Sequence, residues 1–191
     1  MISTQEWEAK WWDTCQNTFG EELKQLIYAR CMGITFYHDG KSPYNIDGGN
    51  RSVLDIGGGP VSLLLKCKNL HRGKVIDPLP MPDWVVARYL MAGVEVDPSP
   101  AEYVDESGWD EVWIYNCLQH VQDPEQVVRM AKRAGDIIRI FEWIETCTND
   151  GHPHSLDRAQ LDKWLGGYGK VAQINENTAV GKAYYGIFPT A

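Results

Sequence analysis

Residues Val53 to Pro60 read VLDIGGGP: an apolar run, one acid and three consecutive glycines within eight residues. The aliphatic residues predict a buried strand over SVLDI (52–56), and the glycines predict a turn at its carboxyl end. Glycine has no Cβ, so it takes positive φ readily and lets a ligand touch main-chain atoms. Either this is only a tight turn, or a ligand comes close to the backbone there.

Outward from that stretch, strand-like and helix-like segments alternate. The strand candidates are SVLDI, KVID (74–77), VEV (94–96), EVWIYN (111–116) and IIRIFEWI (137–144). Between them PVSLLLKCKNL (60–70), DWVVARYLMAG (83–93) and DPEQVVRMAKRAG (123–135) read as helical, the last opened by Asp123 as N-cap and Pro124 in the first turn. This alternation predicts an α/β, doubly wound parallel sheet with helices on both faces. DRAQLDKWLGG (157–167) then predicts a helix stopped by glycine. KVAQINE (170–176) and AYYGIF (183–188) predict an antiparallel hairpin, so one strand of the sheet is reversed. The first fifty residues differ. They carry one or two helices, with Leu23, Leu26, Ile27 and Cys31 near helical spacing, and then a Gly-, Asn- and Asp-rich loop over 35–50.

A chain of 191 residues allows one full domain, and its net charge of −8 argues against a partner recognised through phosphates. No cluster of Lys and Arg marks a nucleic-acid face. The apolar runs fall far short of a membrane span, and the start shows no secretory signal. Five scattered cysteines without a C-x-x-C pair suit reduced thiols in a cytoplasmic compartment.

In doubly wound sheets ligands bind outside the carboxyl ends of the strands, which places the glycine turn at the binding rim. Asp77 follows Gly57 by twenty residues and ends the second strand, where a carboxylate accepts hydrogen bonds from two ribose hydroxyls. Turn and acid together favour a nucleoside-bearing ligand. The dinucleotide fingerprint G-x-G-x-x-G/A meets Ser62 at its last position, and Asp55 beside the turn repels a pyrophosphate but suits a ligand with a cationic end. No G-x-x-x-x-G-K-[ST] loop occurs.

VLDIGGGP with Asp77 downstream resembles the cofactor signature of class I S-adenosylmethionine-dependent methyltransferases. GWDEVWIYNCLQHVQDPEQVV (108–128) resembles the fourth-strand region of the small-molecule branch. The likeness runs from about Arg51 to Phe188. It implies seven strands in the order 3-2-1-4-5-7-6 with strand seven antiparallel, an S-adenosylmethionine-binding core over 51–191, and a helical lid or cap over 1–50. By that resemblance Gly57, Gly58 and Gly59 line the cofactor, Asp77 holds the ribose hydroxyls, and Asp55 orients the ammonium group through water. Asn116 lies near the methionine end. Relatives carry an Asp-Ala pair after the third strand where this chain has Pro100-Ala101-Glu102, so Ala101 and Glu102 are the adenine candidates. The D/N-P-P-Y/F motif of enzymes that methylate nucleobase amino groups is replaced by NCLQ, which argues for a small-molecule acceptor and against nucleic acid.

Methyl transfer to an acceptor that starts protonated needs a base, and His120 is the candidate; the alternative is a histidine that orders its loop. The rim stretch FEWIETCTNDGHPHSL (141–156) offers Glu142, Trp143, His152 and His154 as acceptor contacts, with no defined metal-ligand spacing. From the first fifty residues Trp12 and Tyr37 join them, as aromatic faces for a cation or a sugar ring. Trp7 and Trp11 fall at helical spacing and read as packing. The expected reaction is methylation at oxygen or nitrogen of a small polar acceptor, such as a saccharide. A nicotinamide-dependent oxidoreductase and a non-catalytic S-adenosylmethionine-binding module are the competing readings.

Overall fold

The computed structural model describes residues 3–36, 45–176 and 179–190. Among these the chain forms α1 (Thr4–Trp12), α2 (Phe19–Cys31), β1 (Ser52–Ile56), β2 (Arg72–Ile76), α3 (Asp83–Met91), β3 (Val94–Asp97) and β4 (Trp109–Tyr115). There follow α4 (Pro124–Ala134), β5 (Gly135–Trp143), α5 (Arg158–Leu165), β6 (Lys170–Glu176) and β7 (Ala179–Pro189). The seven strands are hydrogen-bonded in the order β3-β2-β1-β4-β5-β7-β6. Neighbours from β3 to β5 are parallel, and β7 runs antiparallel to both β5 and β6. This is the strand order that the resemblance implies.

Period-two alternation divides the core between the two faces of the sheet. Leu54, Ile56, Val112, Ile114, Ile138 and Ile140 pack under α4 and α5. Val53, Val75, Trp113, Tyr115 and Phe141 pack under α2 and α3. Both α4 and α5 open with an aspartate N-cap: Asp123 accepts from the Gln126 N–H, and Asp157 forms a capping box with Gln160. At the far end of α5, Gly166 takes φ 75°, which is the glycine stop expected there.

The N-terminal helices differ in how they attach. α2 buries Leu26, Ile27, Tyr28 and Ala29 and belongs to the core, whereas α1 buries no residue fully and lies across the rim. Arg139 on β5 fastens the end of α2, donating to the Met32 carbonyl at 2.8 Å while its Nε meets Glu111 at the same distance.

One expected helix is absent. Residues 60–70 form two 3-10 turns, Gly59–Val61 and Leu63–Lys66, and then a two-residue strand, Cys67–Lys68, paired with Ile46–Asp47. Ser62 sits between the turns in an extended conformation (ψ 147°) with its hydroxyl bonded to Asp55 and to the Leu64 N–H. A side chain that engages nearby backbone and a buried acid in this way competes with helical hydrogen bonding, and here it prevails over the apolar periodicity.

The cap of α4 gives a direct check on these assignments. Replacing Asp123 by Ala is expected to cost about 1 kcal/mol in denaturant unfolding, with no change in fold by circular dichroism.

Candidate active site

The strand order reverses between β1 and β4, and a cavity of about 410 Å³ opens at the carboxyl ends of β1, β2 and β4 beneath α1 and α2. Gly57, Gly58 and Gly59 line it, as do Asp77, Ala101, Glu102, Asn116 and His120. Gly57 holds φ 75°, and a Cβ there would collide with Cys117 Sγ. At Gly59 (φ 58°) a Cβ would stand 3.7 Å from Trp12 and 4.0 Å from Asp77 Oδ2, in the space between the rim and α1. The missing side chain leaves main chain facing the cavity.

Asp77 is held by two backbone donors. Oδ2 accepts from the Gly59 N–H and Oδ1 from the Leu79 N–H, both at 2.8 Å. Each carboxylate oxygen can accept a second hydrogen bond, so a diol can still be received. Burial pushes the Asp77 carboxyl above its ordinary value, and the two N–H bonds oppose that shift.

Asp55 does not line the cavity. Its side chain is fully buried beneath the turn, where Oδ2 accepts from Ser62 Oγ and, at 2.5 Å, from the Tyr115 hydroxyl. Burial raises its pKa to about 7. Asp55, expected to orient the ammonium group through water, thus faces inward and braces the turn. Tyr89 assists from α3, donating to the Gly59 carbonyl at 2.6 Å and accepting the Ser62 N–H at 2.8 Å.

A second cavity of about 400 Å³ lies against the other side of α1. Trp7, Trp11, Trp12, Trp143, Thr146 and His152 are among its lining residues. The two cavities share Glu8, Trp12, Glu21, Tyr28, Asn116 and His120 as their common wall. Within that wall His120 Nδ1 lies 2.8 Å from the Gly151 carbonyl and 3.0 Å from Glu8 Oε1, and Trp12 donates to the other Glu8 oxygen at 3.2 Å. Burial pulls the His120 pKa down, but the bonds to Glu8 and Gly151 outweigh it and leave the value raised.

The remaining expected residues divide. Trp12, Trp143 and His152 line the second cavity. Glu142, expected at the acceptor, is instead fully buried under the loop after β4, where Oε1 accepts the N–H groups of Cys117 and Leu118, each at 3.0 Å. Burial raises its pKa to about 7. His154 lines neither cavity and spends Nε2 on the Val121 carbonyl at 2.9 Å. Glu102 lines the first cavity, with Oε1 also accepting the Gln122 N–H at 2.7 Å. Tyr37 lies outside the described residues. Among the described residues no group of three or more His, Cys, Asp or Glu gathers as a metal site. The sequence reading missed Glu8, Glu21, Gln25 and Tyr28, which reach the cavities from α1 and α2. Gln25 is buried, and its Oε1 has no hydrogen-bond partner among the described residues. Helical spacing was the only sequence signal these residues carried.

No protein-family model matches the chain. A curated relative is the RNA1 polyprotein of Andean potato mottle virus, 31% identical over 104 residues; the match takes in 49% of this chain and 14% of the polyprotein. Among solved structures, magnesium protoporphyrin IX methyltransferase from Synechocystis PCC 6803 with bound S-adenosylmethionine superposes with a TM-score of 0.63. That comparison covers 99% of this chain and 98% of the other at 10% identity. A methyltransferase from Thermotoga maritima, described as a possible histamine N-methyltransferase, gives a TM-score of 0.62 over 96% and 95% of the two chains at 12% identity. The chain thus has the fold of class I S-adenosylmethionine-dependent methyltransferases.

The buried Glu142 makes a pH prediction. Its folded pKa, about 7, lies above the ordinary 4.5, so its contribution to stability is complete below pH 4.5 and lost as pH rises through about 7. Glu142→Gln keeps the acceptor for both N–H groups and removes the titration. Thermal melts should show a shallower loss of stability over that window in the variant, and parallel curves would contradict the assignment.

Proposed function

We propose that the chain binds S-adenosylmethionine in the rim cavity and transfers its methyl group to oxygen or nitrogen of a small polar acceptor held in the aromatic cavity beyond Glu8 and His120. The observation that carries this reading is the charge of the first cavity. Glu8, Glu21, Asp77 and Glu102 line it, and among the described residues neither Lys nor Arg does. A sulfonium and an ammonium are favoured in such surroundings, whereas the pyrophosphate of a dinucleotide is repelled. The 3-10 turns after the glycines also withhold the long helix whose N-terminus receives a pyrophosphate in nicotinamide-binding sheets.

In this reading Asp77 accepts the ribose hydroxyls, and the backbone from Gly57 to Gly59 lies against the ribose and methionine side. Ala101, Leu79 and Glu102 bound the adenine end. With Asp55 engaged beneath the turn, Gln25 Oε1, which has no partner among the described residues, and the Glu21 carboxylate are the acceptors for the ammonium group. Bound there, S-adenosylmethionine supplies an electrophilic methyl group on sulfur. The protein's part is to orient the acceptor in line with that carbon and exclude water, and such positioning contributes on the order of 7–11 kcal/mol. His120 receives the acceptor's proton. Of the described residues within 1–50, α1 caps the rim of the 51–191 unit and divides the cofactor cavity from the acceptor, while α2, packed into the hydrophobic core, completes the cofactor cavity. Trp12, Trp143 and His152 form the acceptor walls. Five free cysteines suit a reducing, cytoplasm-like compartment, and among the described residues no helix is long and apolar enough to cross a membrane.

Isothermal calorimetry tests the reading. S-adenosylmethionine and S-adenosylhomocysteine are expected to bind and NAD is not. Asp77→Ala should weaken S-adenosylhomocysteine at least tenfold, about 1.4 kcal/mol. Binding of NAD without either sulfur nucleoside would overturn the proposal.

A further inference from the structure

The wall between the two cavities contains an arrangement that the methyl-transfer reading does not by itself require. His120 follows β4 and reaches across to α1. Its Nδ1 lies 2.8 Å from the Gly151 carbonyl oxygen and 3.0 Å from Glu8 Oε1. Neither of those oxygens has a proton to give: one belongs to a backbone carbonyl and the other to a carboxylate. Nδ1 must therefore carry the hydrogen. In the neutral ring this leaves the lone pair on Nε2, and the Gln119 Nε2 group stands 3.3 Å away to donate to it. Gln119 has two such hydrogens, and the same nitrogen donates to Asn116 Oδ1 at 3.0 Å. The bonds around the ring are thus mutually consistent in one tautomer. Glu8 is itself fixed, because its second oxygen accepts from Trp12 Nε1 at 3.2 Å.

We infer that Glu8 on α1 is the positioning residue of a carboxylate–imidazole dyad with His120, holding the Nδ1–H tautomer so that Nε2 accepts a proton from the methyl acceptor. The inference rests on the methyl-transfer reading and narrows the acceptor to a class: molecules that arrive with an O–H or N–H to lose. In the step, that proton passes to His120 Nε2 and the acceptor's lone pair forms the bond to the methyl carbon. The electron pair of the breaking S–C bond stays on sulfur, leaving a neutral thioether, and the imidazolium formed lies against the Glu8 carboxylate. The 3.3 Å contact from Gln119 is the longest of the set and is the one an acceptor displaces. Charged and titratable groups face the ring from four directions: Glu8 on α1, Asp77 after β2, Glu142 on β5 and His152 in the following loop. Of these only Glu8 bonds the ring through a carboxylate. A histidine that merely ordered its loop would need the Gly151 bond alone.

Nitrogen-detected NMR of the imidazoles in the full chain tests the dyad without knowledge of the acceptor. The wild-type protein is expected to show His120 as the Nδ1–H tautomer, titrating above the ordinary 6.5. Glu8→Gln should lower the proton affinity of His120 about tenfold or more. An Nε2–H tautomer in the wild type, or a His120 titration unmoved by Glu8→Gln, would overturn the inference. If the variant does not fold, the wild-type titration decides: a His120 that titrates at or below the ordinary 6.5 would overturn the inference. Calorimetry on the wild-type protein keeps the two claims apart: failure to bind S-adenosylhomocysteine would sink the methyl-transfer reading, and the imidazole spectra would still report on the dyad.

Discussion

The site depends on a carboxylate that never reaches it. Asp55 is fully buried at the end of β1, and its Oδ2 gathers the hydroxyls of Ser62 and Tyr115. Tyr115 in turn accepts the Leu63 N–H at 3.0 Å. A buried acid is costly unless hydrogen-bonded, so these partners are constrained to stay. Their effect is to draw residues 59–63 down onto β1 and β4 and to hold the glycine turn open toward the rim. Asp77 closes the same loop from β2 through the Gly59 N–H. The strands are rigid and the glycines supply the permitted backbone angles, but these carboxylates set where the main chain faces.

A second constraint comes from the N-terminal segment, whose two helices act differently. α2 is part of the core: Tyr28 stacks on Phe141 with ring centroids 4.2 Å apart and accepts from Trp143 Nε1 at 3.3 Å. It carries Glu21 and Gln25 to the cavity on a fixed support. α1 has no fully buried residue and holds to the rim through Glu8, Trp12 and the packing of Trp7 over Gly151, where a Cβ would clash with the indole. Stabilities within a fold are not uniform, and an element with few buried groups opens at lower cost than the core. The helix that separates the two cavities is therefore also the one most free to admit a ligand.

Much of the architecture was legible from residues 51–190 because strand and helix periods there are clean. VLDIGGGP, the Asp123-Pro124 cap and the terminal hairpin each assign one element, and together they define the sheet. The helix expected over 60–70 failed for a reason invisible to periodicity: Ser62 is claimed by an acid seven positions earlier. Asp77 and the glycines could be placed because their spacing along the chain is itself the geometry of a strand-end site. Asp55 and Glu142 could not, because alternation along a strand says which face a residue occupies but not whether a carboxylate opens to solvent or turns under a loop. Glu8, Glu21 and Gln25 lacked any local motif. Their place in the site arises from long-range packing of α1 and α2 onto the rim, which only the folded chain displays.

The central claim is that a main-chain bend and a neighbouring acid receive a nucleoside sulfonium. A crystal structure of the chain soaked with S-adenosylhomocysteine tests it most directly. The account predicts density in the rim cavity, with both ribose hydroxyls on Asp77 and the amino-acid end toward Gln25. A vacant rim cavity, or a ligand whose ribose turns away from Asp77, would contradict it.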